Sequence, residues 1–138
     1  MTSLLSLRRH SASWFQRKSK RAVGKRGEVW QVDFGMVQKV RPAVVVSVPC
    51  QDSDRSLTAI VPHTTAIRGS RFEVAFPVRF LESGAFLVQG LVSIPPSFLV
   101  RRLGVLSTEQ LAVVEAGLRQ WLGAGIILLL ATAGALTR

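Results

Sequence analysis

The sequence predicts a mainly β domain, a small barrel or strongly curled sheet, followed by one C-terminal helix. Three observations predict it. Short apolar runs recur between residues 28 and 94, each punctuated by Gly, Pro or a polar cluster, as consecutive short strands are. One run, Ala43-Val44-Val45-Val46, is apolar throughout and leaves no face for solvent, the mark of a fully buried strand. From Ser107 onward the apolar spacing becomes helical, which places a helix at the end of the domain.

The elements follow in order. Glu28–Phe34 alternates, with Val29, Gln31 and Asp33 on one side and Glu28, Trp30, Val32 and Phe34 on the other. A short connection, Gly35–Val40, leads into Arg41–Ser47. Pro42 biases Arg41 toward extended geometry and fixes its own φ, so Arg41 stands at a defined strand mouth. Leu57–Val61 reads as a third strand stopped by Pro62-His63-Thr64-Thr65, and Phe72–Phe76 as a fourth after the basic turn Arg68-Gly69-Ser70-Arg71. Residues 84–94 form one more strand or a bent pair, closed by Pro95-Pro96. Ser107 and Gln110 make a capping box. Leu111, Val114, Leu118, Trp121 and Leu122 share one helical face, and Gly123 marks its end.

The 138 residues suffice for one domain with a real core. Their 18 basic and 8 acidic residues are unevenly spread. Residues 1–26 hold eight of the basic residues and no acid, so the rest carries 10 against 8, a net of +2. That start predicts a basic, disordered arm with salt-sensitive attraction to nucleic acid, and its composition also suits an organellar transit peptide. The single Cys50 excludes an internal disulfide and a Cys-based metal cluster, so an intracellular, cytoplasmic setting is expected. The apolar run 125–136 falls short of the roughly 20 residues a bilayer span needs. It predicts a hydrophobic tail over 124–138, with membrane association as the alternative reading.

Five stretches together resemble the MazF/PemK family of toxin–antitoxin ribonucleases. They are Gly27-Glu28-Val29-Trp30 with Asp33-Phe34; Lys39-Val40-Arg41-Pro42-Ala43-Val44-Val45-Val46-Ser47; Val61-Pro62-His63-Thr64-Thr65; Arg68-Gly69-Ser70-Arg71-Phe72-Glu73-Val74; and Arg102–Ser107. The resemblance covers residues 27–123. It implies an SH3-like barrel with a C-terminal helix, a homodimer, and a sequence-specific endoribonuclease of single-stranded RNA that needs no metal or other cofactor. It also implies a partner, a small antitoxin whose flexible acidic tail lies across the RNA groove. The family's two phosphate-handling residues fall on Arg41 and Thr64. Toxins of the same fold that bind gyrase exist, so the fold by itself leaves open a non-enzymatic toxin with a protein target, or a degenerate antitoxin-binding module.

The chemistry can be asked of the residues directly. Metal-free RNA cleavage uses the substrate's 2′-OH as nucleophile and needs a proton acceptor, a proton donor and positive charge on the phosphorane. Arg41 supplies charge and a bidentate fork, but a guanidinium is no general base. Thr64 can donate a hydrogen bond to a non-bridging oxygen. His63 has a suitable pKa for proton transfer, yet in extended geometry it points away from Thr64, as a cap on the core would. Arg68 and Arg71 could bind backbone phosphates or be solvated turn charges. Trp30 and Phe34 could stack a base or pack in the core. Lys39, beside the Arg-Pro pair, completes the basic candidates. Two departures from the family pattern stand out. The loop Gly35–Val40 is short, as in a short-loop subgroup, and leaves the groove more open. Where many members carry an Asp-Gln pair, this chain has Gln89 and Gly90, so the acid is missing and Gln89 is left as a candidate RNA contact.

Overall fold

Seven short strands and one helix of fifteen residues frame the described part of the chain. The computed structural model describes residues 24–35 and 39–124. Most of the basic arm, most of the apolar tail and loop residues 36–38 therefore lie outside the described residues. The strands are β1 (Glu28–Val32), β2 (Arg41–Val45), β3 (Thr58–Thr64), β4 (Glu73–Val74), β5 (Ala85–Leu87), β6 (Val92–Ile94) and β7 (Leu99–Val105), and the helix is α1 (Thr108–Leu122). All pairings are antiparallel, in the order β4-β5-β3-β2-β1-β7, with β6 beside β3.

The apolar run of β2 does what its composition requires. Successive residues point to opposite faces. Val44, with Val29 and Val61, enters one buried cluster, together with Phe72, Phe86, Val88, Leu106, Val114 and Leu118 under α1. Ala43 and Val45, with Val32, Ile60, Ile94 and Leu99, enter a second cluster on the other face. A strand buried on both faces sits in only one place, so β2 anchors the sheet.

Several sequence expectations are corrected. Strand β1 ends at Val32 and β2 at Val45, each two residues early. Strand β3 runs through Pro62 to Thr64 instead of stopping at Val61. Val46 donates its amide to the Ala59 carbonyl at 3.0 Å. Alternation along the ladder then leaves the Ala43/Pro62 pair non-hydrogen-bonded. The missing N–H of Pro62 faces the other edge, where β3 changes partner from β6 to β5, and no ladder bond is lost. Strand β4 shrinks to two residues, and residues 84–94 divide into β5, a 3-10 turn at Val88–Gly90, and β6. Strand β7 was not expected. It pairs with β1 across two register shifts, and these erase the alternation by which a strand is recognised.

The helix obeys its signals. Ser107 Oγ accepts the Gln110 amide at 3.1 Å, while Gln110 Oε1 accepts the Ser107 amide at 2.9 Å. Gly123 ends it at φ 72°, in the left-handed region that suits glycine. Val114 and Leu118 are buried as expected, but Trp121 and Leu122 are exposed, although Trp121 sets its ring edge-on against Phe72. Among the described residues no helix is long and apolar enough to cross a membrane.

The two anchors of this fold should differ in weight. Ser107→Ala removes a cap and should cost about 1 kcal/mol. Phe86→Ala empties a fully buried aromatic site and should cost about 3–5 kcal/mol. Denaturant midpoints of the two variants against the parent check the ranking.

Candidate functional site

The β2–β3 ladder brings Arg41 and Thr64 together. Its register pairs Ala43 with Pro62 and Val44 with Val61. Continued two residues, it sets Arg41 across from Thr64 on the same face of the sheet. Val32 pairs with Arg41 on the other side, and Ala85 with Thr64, so both residues are flanked by buried neighbours. Arg41 itself is exposed.

Two clefts meet at this pair. One, of about 510 Å³, is lined by Gln31, His63, Glu82 and Arg101 among others, and the second, of about 490 Å³, by Arg68, Glu73 and Gln89 among others. Arg41 and Thr64 line both. Thr64 Oγ1 accepts the Ala66 amide at 3.1 Å. That bond occupies an acceptor lone pair and leaves the hydroxyl hydrogen free to be donated into the cleft.

Glycine is required beside Thr64. A Cβ at Gly84 would collide with the Thr64 carbonyl oxygen and lie 2.7 Å from the His63 Cε1. Substitution there must push β5 off β3 and move Thr64 with it.

The remaining candidates fall into three groups. His63 is 5% exposed and turns toward the first cluster, its ring 5.0 Å from Phe86 in an edge-on contact. Burial holds the imidazole below the usual histidine range, so the ring is neutral near pH 7. Arg68 and Gln89 line the second cleft. Here the turn is built by Glu73, whose carboxylate accepts the amides of Arg68 at 2.9 Å and Ser70 at 2.9 Å. Those backbone bonds, Ser70 first, hold its carboxyl below the usual range. Arg71, Trp30, Phe34 and Lys39 line neither cleft. The Arg71 guanidinium lies over the Phe72 ring at 4.5 Å. Trp30 and Phe34, both half-buried, pack on the second cluster, and Trp30 Nε1 donates to Glu28 Oε1 at 3.4 Å.

Comparisons with known proteins find relatives of this fold. A family model described as a PemK-like, MazF-like toxin of a type II toxin–antitoxin system fits residues 25–122. The chain belongs to this family. Among solved structures, a MazF from Deinococcus radiodurans is 28% identical with a TM-score of 0.62, over 73% of this chain and 97% of that one. A MazE–MazF complex from the same organism is 26% identical with a TM-score of 0.62, over 73% and 96%. A mycobacterial endoribonuclease with its cognate antitoxin shares the fold at 21% identity and a TM-score of 0.64, over 73% and 96%. A comparison with curated proteins finds no match.

The PemK/MazF domain also shows what sequence reasoning missed. Gln31, Glu82 and Arg101 enter the first cleft, yet none stands in a motif. Arg101 was hidden with β7, and Glu82 lies in a loop with no periodic signal. Glu82 is the one carboxylate lining that cleft, and Glu73, in the second, is committed to the Arg68–Ser70 turn.

The buried, neutral His63 makes stability pH-dependent. Its folded pKa lies below the unfolded value of about 6.5. The contribution is complete above about pH 6.5 and is lost as pH falls toward the folded pKa, because the unfolded imidazole takes up a proton that the buried ring does not. His63→Phe should flatten this decline. Denaturant midpoints of both proteins at about pH 7.5 and 5.5 would reveal it.

Proposed function

We propose that this chain is the toxin of a type II toxin–antitoxin pair and an endoribonuclease cleaving single-stranded RNA by attack of the 2′-OH. The observation that carries it is the exposed Arg41, held across from Thr64 where the two clefts meet. The family membership supports the same reading.

The reaction asks little covalent work of the protein. The 2′-oxygen bonds to phosphorus, the bond from phosphorus to the 5′-oxygen breaks, and the proton lost from the 2′-OH is balanced by one gained on the 5′-oxygen. The products are a 2′,3′-cyclic phosphate and a free 5′-OH. Arg41 lies where its planar fork can hold two oxygens of the phosphorane. Thr64 donates its free hydroxyl hydrogen to one of them. Glu82 is the acceptor nearest in kind to the acid that many family members carry where this chain has Gln89, and a carboxylate there can take the 2′ proton. His63, neutral and turned into the core, shapes the wall beside Thr64. Arg68 and Arg101 add charge for flanking phosphates.

The partners follow from the same surface. A groove edged by Arg41, Arg68 and Arg101 suits the acidic tail of an antitoxin as well as it suits RNA, and MazE–MazF is the complex of a structural neighbour. We place the active form as a homodimer, as the resemblance implies.

Incubation with a long RNA in EDTA, followed by mapping of the ends, tests the proposal. Discrete cuts bearing 2′,3′-cyclic phosphate are expected, with Arg41→Ala slower by about 10²–10³-fold. Arg41→Lys should also lose most activity, since a point charge does not replace the fork. Intact RNA from a folded protein overturns the reading. Gly84→Ala should reduce cleavage without touching any reacting group, and cleavage at the parent rate would show that Thr64 is not positioned through β5.

A further inference from the structure

Gln31 sits in the first cleft with an unused hydrogen-bonding group. It lies on β1 between Pro42 on β2 and Arg101 on β7. It shares the cleft with Arg41 and Thr64. Its Oε1 is shielded from solvent and has no hydrogen-bond partner, alone among the buried side-chain polar atoms of the described residues. Pro42 has no N–H to offer, and the Arg101 guanidinium makes no bond to it. An unmatched buried amide oxygen is costly, and such groups are rare unless something else completes them.

From this, and resting on the ribonuclease reading, we infer that Gln31 reads the edge of a nucleobase next to the scissile phosphate. The terminal torsion of a glutamine is broad and soft. Turning the amide toward the cleft breaks no bond to its oxygen and presents an acceptor beside a donor. Adenine matches that pair with its amino group and the neighbouring ring nitrogen, the bidentate arrangement by which glutamine recognises it. The cleft provides the rest. Phe80, Leu81 and Leu103 offer apolar surface for the faces of a base, while Arg101 and Arg41 hold the charged backbone. Its volume of about 510 Å³ accommodates a ligand of nucleotide size. Phosphate contacts position RNA, whereas only an edge contact of this kind selects sequence.

The test is the cleavage-site profile of the full chain on a pool of RNAs with random sequence. The parent should favour adenine at one position within one or two nucleotides of the cut. Gln31→Leu should lower that preference by about ten-fold or more, while leaving preferences elsewhere in place. Its melting temperature should equal or exceed the parent's, because an unmatched polar group has been removed. Gln31→Glu, which keeps the shape and replaces the amide donor by an acceptor, should also lose the preference, and it serves if the leucine variant does not fold. Arg41-dependent cutting with the same profile in both variants overturns this inference alone. No cutting by the parent overturns the ribonuclease reading and this inference with it.

Discussion

Everything at the site depends on the register of β2 against β3. Val44 lies opposite Val61, and both are fully buried. A slip of one residue would invert one strand's alternation against the other and take Val44 and Val61 out of the cluster they share. It would also carry Pro62 into a position where the ladder needs an amide. Hydrophobic burial and one absent N–H thus guard the same alignment. Arg41 and Thr64 receive their geometry from it, although neither contributes to the core.

How much of this was legible in the sequence follows from which signals survive folding. Strand β2 and the capped helix α1 were readable, because an unbroken β-branched run and a reciprocal Ser107/Gln110 cap are local features. Arg41 and Thr64 were readable through the motifs around them. What stayed hidden is non-local. Strand β7 owes its place to two register shifts against β1, and Arg101 and Gln31 become neighbours only through that pairing. Pro62 looks like a strand stop until the change of partner from β6 to β5 is known. Trp121 and Leu122 follow the helical period but overshoot the sheet that buries Val114 and Leu118.

The two clefts treat their carboxylates differently. Glu73 is bound to backbone amides and builds a turn, so its charge is spent on holding Arg68 in position. Glu82 lines the first cleft as its one carboxylate. Two residues of the same type therefore differ across Arg41: one is bound into a turn, and the other faces an open cleft.

The way the chain enters the domain sets Lys25 and Arg26 apart from Arg41. Lys25 donates its amide to the Glu28 carboxylate at 2.6 Å, Gly27 donates to the Val45 carbonyl at 2.8 Å, and Arg26 pairs with Glu115 on α1. Lys25 and Arg26 are thereby fixed at the Val45 end of β2, while Arg41 stands at its opposite end. Four strand steps of about 3.3 Å put roughly 13 Å between those ends. That exceeds the screening length of about 8 Å at physiological salt. A positive charge at Lys25 or Arg26 therefore acts mainly on its own surroundings and little on the Arg41 end of the strand. The charge where the chain enters the domain and the charge at the far end of β2 can therefore change independently of one another.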